Sequence, residues 1–319
     1  MIDTVELSHI CTGTPAGDRL NEDAAVAVRN GAVVTAAAID GVTDRLISQA
    51  LQPLFASYPQ QPCNGSAYAA RLTRDVIEAD PLADPGALLL RANAALRAQV
   101  APYYGGTLDA AAVCAAEPAL APYAADPRYL RLILPACVVT LARIDRAAAR
   151  LDYAHLGDTE LLLFHTDGRV TRAVAETRPN WQRGLIIAED DDPQVRRYKA
   201  VGLLHNFVDA NGQPDPTVGV GVINGLAEAA SYIMTGSIDL AGVAAVCVCS
   251  DGFMWPAPAG ETAADHHARL RHMRRIIDAA GLAGYVDRLR AEEAADAHRQ
   301  LYPRPKTHDD ATAILIRFL

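Results

Sequence analysis

The chain has 319 residues and a formal net charge of −9 at pH 7. That charge argues against broad electrostatic binding of nucleic acid or of an anionic membrane surface. Hydrophobic residues make up 50% and aromatic ones 6%, which suits one large soluble domain with a mainly aliphatic core.

The opening stretch, MIDTVELSHICTG, has no basic region followed by an apolar run, so no signal peptide is expected. No run approaches the ~18 apolar residues of a membrane span. Six cysteines occur without Cys-x-x-Cys spacing, so neither a zinc ribbon nor a disulfide scaffold is indicated. The expectation is a cytoplasmic protein with free thiols.

Residues 24–29, Asn30-Gly31 and residues 32–39 read as a β-hairpin around a tight turn. Helices are expected over TDRLISQALQPLFASY, with Thr43 as its cap, and over GSAYAARLTRDVIEA. A third, DPGALLLRANAALRAQV, has Asp84 as cap and Pro85 at its first position. Residues 101–128 read as loop. Strands return at 136–145, 149–158, 159–167 and 168–174, followed by an irregular insert or flap at about 176–225 with an acidic run at 189–193. A strand at 242–250 carries Cys247 and Cys249 on one face, and two helical segments lie between about 262 and 297. The closing DDATAILIRFL is a strand entered directly from acids. Two groups of strands separated by helices, without a linker, predict a single α+β sandwich domain over 1–319.

Three Asp-Gly pairs separate two situations. Asp167-Gly168 lies between adjacent strand-like runs and needs only a turn. Asp40-Gly41 and Asp251-Gly252 each end a long apolar run and lead into helical or irregular chain. Singly, each reads as a turn or cap. As a set with Glu22-Asp23, Gly157-Asp158 and Asp309-Asp310, they place acids at five strand ends. Carboxylates there are costly unless neutralised, and hard divalent cations take oxygen ligands of this kind. Two such ions, roughly 3.5–4 Å apart, clamp a phosphoryl group and supply a nucleophilic hydroxide near neutral pH.

NEDA (21–24), AAAIDG (36–41), AHLGDTELLLFHTDG (154–168), VCVCSDGF (246–253) and DDATAILI (309–316) occur in this order. Together they resemble the metal-dependent protein phosphatases of the protein phosphatase 2C type, in particular bacterial members, over nearly the whole chain. The resemblance implies two stacked antiparallel β-sheets flanked by α-helices, a four-layer αββα sandwich. It further implies a serine/threonine phosphatase that uses Mg²⁺ or Mn²⁺ and metal-bound water. Asp40 would bridge two ions, Glu22 and the Gly41 carbonyl serving one, Asp251 and Asp309 the other. Asp158 with Asp251 would support a third, weaker ion, and Asp23 would hold metal-bound water. The implied partner is a phosphorylated protein, opposing a Ser/Thr kinase, with neither nucleic acid nor membrane; the oligomeric state is open.

Two positions depart from that family's pattern. Its usual phosphate-gripping arginine, four residues before the glutamate, is Asp18 here, and Arg19 lies one position later. Arg19 is either delivered to the site by a shorter loop or is a surface residue. After Asp40-Gly41, Val42 stands where many relatives carry histidine, and valine donates no proton. Arg45 is a second candidate for phosphate, or a surface partner of Asp44. Two further readings therefore accompany the phosphatase: a catalytically weak regulatory or binding protein of the same fold, and a small-metabolite phosphatase. Asp265-His266-His267 lies in a helical segment and reads as no metal site, and RLRHMRRIID (269–278) reads as an ordinary amphipathic helix. His155 reads as a packed strand residue and Trp255 as core or pocket wall.

Overall fold

Strands whose two faces are both apolar must be covered on both sides, and this governs the architecture. The computed structural model describes residues 2, 4–15, 19–43, 46–124, 126–174, 196, 198–304 and 306–319. Among the described residues, ten strands form two antiparallel sheets. One has the order β1 (Val5–Thr12), β10 (Ala311–Phe318), β9 (Val243–Cys249), β6 (Glu160–His165) and β7 (Val170–Arg172). The other runs β2 (Ala24–Asn30), β3 (Val33–Gly41), β4 (Cys137–Asp145), β5 (Arg150–Leu156) and β8 (Met234–Asp239).

Alternate side chains divide between three apolar layers. Ala36 and Ala38 of β3 face Ile314 and Ile316 of β10 between the sheets. Ala37 and Ile39 instead pack outward with helices α2 (Gly65–Ala79) and α3 (Pro85–Val100). On the far side, Cys247, Cys249 and Leu315 pack against Leu270, Met273 and Ile277 of the helical layer. That layer is α5 (Ala263–Ala295), broken at Gly281, where φ is 69°. The arrangement is the expected four-layer αββα sandwich, and the break separates the two expected helical segments.

Several expectations need correcting. The helix expected from Thr43 is only α1 (Gln52–Ala56). Glu117 takes up the backbone N–H groups of Gln49 and Ala50 and the Ser48 hydroxyl, holding that stretch out of helical geometry. The segment 101–128 is more ordered than a loop: it contains α4 (Ala110–Ala116), capped by Asp109, and three short 3₁₀ turns. Strands β1 and β8 were not foreseen. Both are sheet edges with partly exposed side chains, and neither carries a continuous apolar run. The acidic run 189–193 and most of the expected flap before residue 198 lie outside the described residues. Asp167-Gly168 does turn β6 into β7.

Ile314 is fully buried between the sheets. Ile314→Ala is expected to lower unfolding stability by about 2–5 kcal/mol in urea denaturation. A loss under ~1 kcal/mol would show that the inter-sheet layer is not closely packed.

Candidate active site

Sheet register brings the five acidic corners to one rim. Ala24 pairs with Ile39, Ile39 with Val139, and Val139 with Leu156, so the start of β2, the end of β3 and the end of β5 coincide. In the other sheet Cys249 pairs with both Glu160 and Ala313, which sets the end of β9 beside the starts of β6 and β10. Hydrogen bonds then join the two sheets at this rim. The Glu22 N–H donates to Asp310 Oδ2 at 2.8 Å, and the Ser250 hydroxyl donates to Asp23 Oδ2 at 2.9 Å.

The glycines of the two unusual Asp-Gly pairs are needed for close backbone approach. A Cβ on Gly41 would lie 2.6 Å from the Glu22 carbonyl oxygen, and one on Gly252 would lie 1.9 Å from that of Asp310. Each glycine therefore lets an acid-bearing strand end abut another. A side chain on Gly168, in the plain hairpin turn, would meet nothing within 4 Å.

Electrostatics follow from this crowding. Desolvation raises the Asp40 carboxyl well above its usual range, and repulsion from Asp23, Asp251, Asp158 and Asp309 adds to it. Asp251 is raised by desolvation and by Asp309, opposed by a hydrogen bond with Asp40 and by Lys306. Asp40 is half-buried and Asp251 and Asp158 are exposed, so these acids crowd a water-accessible cleft and not a sealed core. Burial likewise raises Glu22 and Asp23, and Asp310 adds its repulsion to Asp23.

Over the rim lies a cavity of about 270 Å³, which Asp158, Asp251, Gly252 and Asp309 help to line. Its walls also include Lys306, Arg172, Arg269, Arg304 and Trp255. The structure places Glu22, Asp23, Asp40, Gly41, Asp158, Asp251 and Asp309 at this one rim. Arg19 reaches Glu22 Oε2 at 3.9 Å and is 37% exposed in its side chain, a long contact to an acid. Asp18, Asp44 and Arg45 lie outside the described residues. Val42 packs against Ala136, Val138 and Val222, so an apolar contact occupies the position of the expected histidine. His155 is buried, with Nδ1 2.8 Å from Thr140 Oγ1, as a packed strand residue should be. Asp265 caps α5 with Thr262.

Three participants were missed from the sequence. Thr43, expected as a helix cap, donates to Glu22 Oε2 at 3.0 Å, and Asn64 donates to Glu22 Oε1 at 2.7 Å. Lys306 lies 2.8 Å from Asp309 Oδ1. The available signals were a lysine three residues before the last acid pair and an Asn immediately before a helix.

The donors suit a hard divalent cation: all are oxygen, and buried Asp310 Oδ1 has no hydrogen-bond partner. As the side chains stand, no three acids, histidines or cysteines among the described residues are arranged to hold a metal ion. Glu22 is engaged by Thr43 and Asn64, and Asp309 by Lys306. Among the described residues, no helix is long and apolar enough to cross a membrane.

No protein-family model matches the sequence, and no curated protein is detectably similar to it. Solved structures are similar in fold. A bacterial serine phosphatase superposes with a TM-score of 0.54 at 12% identity, over 99% of this chain and 98% of that one. RsbX in complex with magnesium superposes with a TM-score of 0.50 at 10% identity, over 99% of this chain and 96% of that one. The fold is that of the bacterial protein phosphatase 2C-type enzymes.

Gly252→Ala is expected to destabilise the fold and to displace the 251–252 turn, because the clash is with backbone. A melting temperature equal to the parent's would contradict this. Asp296 sets up a pH test of the cleft wall. Burial works against its charge, but the Leu301 and Tyr302 N–H groups, Arg304 and the Gln300 N–H outweigh it and push its pKa down to about 2. A depressed acid contributes stability above its unfolded value near 4, and loses it as pH falls through the folded value. Asp296→Asn should therefore weaken the fold at pH 7, with a penalty that shrinks as pH approaches about 2. Urea denaturation across pH 2–7 checks it, and a penalty independent of pH would refute the assignment.

Proposed function

We propose that this chain is a metal-dependent phosphomonoesterase acting on phosphoserine or phosphothreonine in proteins. The observation that carries the reading is the convergence of acids from five distant strand ends around Asp40, whose carboxyl is raised by four neighbouring aspartates. Such a set is costly to assemble without positive charge to match it. The solved structures of the same fold include a bacterial serine phosphatase and a magnesium complex, which supports both the reaction class and the cation.

In this reading Asp40, Glu22, the Gly41 carbonyl, Asp251 and Asp309 would hold two Mg²⁺ or Mn²⁺ ions, and Asp158 would help to hold a third, weaker one. When bound, such ions polarise phosphoryl oxygens and lower the pKa of attacking water. Thr43 and Asn64 orient the Glu22 carboxylate through its two oxygens. Asp23, held by Ser250, is placed to accept a hydrogen bond from water at the rim. The basic wall of the cleft attracts the dianionic phosphate ester, and Trp255 gives that wall an apolar surface for the flanking peptide. With Val42 packed into the fold, the leaving serine or threonine oxygen takes its proton from water.

A second reading, a binding or regulatory protein of the same fold with little turnover, is favoured by Val42 and by the long Arg19 contact. Phosphate release from p-nitrophenyl phosphate and from a phosphoserine peptide, with and without Mn²⁺, separates the two. Mn²⁺-dependent turnover is expected. Asp40→Asn should reduce it by at least roughly a hundredfold, beyond the 10–100-fold typical of residues that only support ligands. Cation binding without turnover on either substrate would establish the second reading in its place.

A further inference from the structure

Resting on the reading of these acids as cation ligands, we propose that the Lys306 ammonium is a resident counter-cation of the cluster. A divalent cation has to displace it from Asp309 before the site fills. The ammonium lies 2.8 Å from Asp309 Oδ1 and 3.4 Å from Thr43 Oγ1, and Thr43 in turn donates to Glu22 Oε2 at 3.0 Å. Glu22 introduces β2 in one sheet and Asp309 introduces β10 in the other, so one point charge ties the two halves of the rim together.

The other basic residues of the cleft are committed elsewhere. Arg304 is held by Asp296 and by the carbonyls of Glu293 and Thr307, and Arg269 by Glu261 and the Trp255 carbonyl. Arg172 pairs with Glu160. These contacts brace the wall. The Arg304 clamp also fixes the segment from which Lys306 extends.

Charge and shape both suit an exchangeable occupant. Lys306 favours the charged forms of Glu22, Asp251 and Asp310, so its field reaches acids of both sheets. It is one of two lysines among the chain's 29 basic residues. A compact ammonium on a flexible stem is closer to a free cation than a planar guanidinium is, and it can swing away intact. Its side chain is 26% exposed, which leaves a path into the cleft. Exchange also accounts for the side-chain arrangement: Glu22 is turned toward Thr43 and Asn64 and Asp309 toward Lys306, and no three acids among the described residues form a ready cage.

The test is calorimetric titration of Mn²⁺ into the full chain at low ionic strength, for the parent protein, Lys306→Met and Lys306→Arg. Thermal melting of each, with and without Mn²⁺, accompanies it. Lys306→Met keeps the apolar stem and removes the charge, so Mn²⁺ affinity should rise roughly tenfold or more. Lys306→Arg should stay within about threefold of the parent, since the charge remains. Without metal, Lys306→Met should melt below the parent, and saturating Mn²⁺ should abolish the difference. Binding to Lys306→Met but not to the parent would also support the proposal. Equal or weaker Mn²⁺ binding by a folded Lys306→Met, with the parent binding normally, would overturn it alone. Absence of Mn²⁺ binding by all three proteins would overturn the metal-site reading as well.

Discussion

The constraint on which the rest of this structure depends is the mutual repulsion of carboxylates gathered at one rim of a two-sheet sandwich. Asp23, Asp40, Asp158, Asp251 and Asp309 come from separate strand ends, and after desolvation the other four add to the upward shift of Asp40. Repulsion of this kind, in a partly desolvated cleft, opposes the very packing that the apolar layers drive. The fold meets it locally with donors: Thr43 and Asn64 on Glu22, Ser250 on Asp23, the Glu22 N–H on Asp310. It meets the remaining charge with Lys306.

The apolar layers explain why the rim stays assembled all the same. Strands β3, β9 and β10 bury side chains on both faces, so each is fixed by two cores at once. A one-residue slip would exchange the residues between layers along a whole strand. Register is therefore strongly specified, and register determines where the acids at the strand ends fall. Gly41 and Gly252 complete the arrangement by letting backbone pass where any Cβ would collide. Positioning of the acids is thus a consequence of packing far from them.

This division marks what was legible in the sequence. Long apolar runs ending in acids are local features, and they located β3, β9, β10 and the residues at their ends. The contrast between Asp167-Gly168 and the two other Asp-Gly pairs was legible for the same reason, and the space around each glycine bears it out. Edge strands β1 and β8 were not legible, because half-exposed strands need no continuous apolar signal. The stretch before α1 was misread because a distant residue, Glu117, captures its backbone donors. Thr43 was misassigned for a similar reason: a hydroxyl suited to a helix cap found a carboxylate across the rim. Long-range polar contacts have no periodicity, so a single sequence does not display them.

The two departures from the family pattern become coherent when charge is considered over the whole cleft. The usual arginine is replaced by Arg19, whose reach to Glu22 is long, and the usual histidine by Val42, which is packed against Ala136, Val138 and Val222. Neither Val42 nor the long Arg19 contact brings positive charge close to the acids on the β2–β3 side of the rim. The opposite side, from Arg269 through Arg304 to Lys306, carries more, and there the arginines are braced by Glu261 and Asp296 while the lysine meets the acids directly. Under the proposed phosphatase reading, an anionic ester would meet positive charge mainly on the segment that precedes β10.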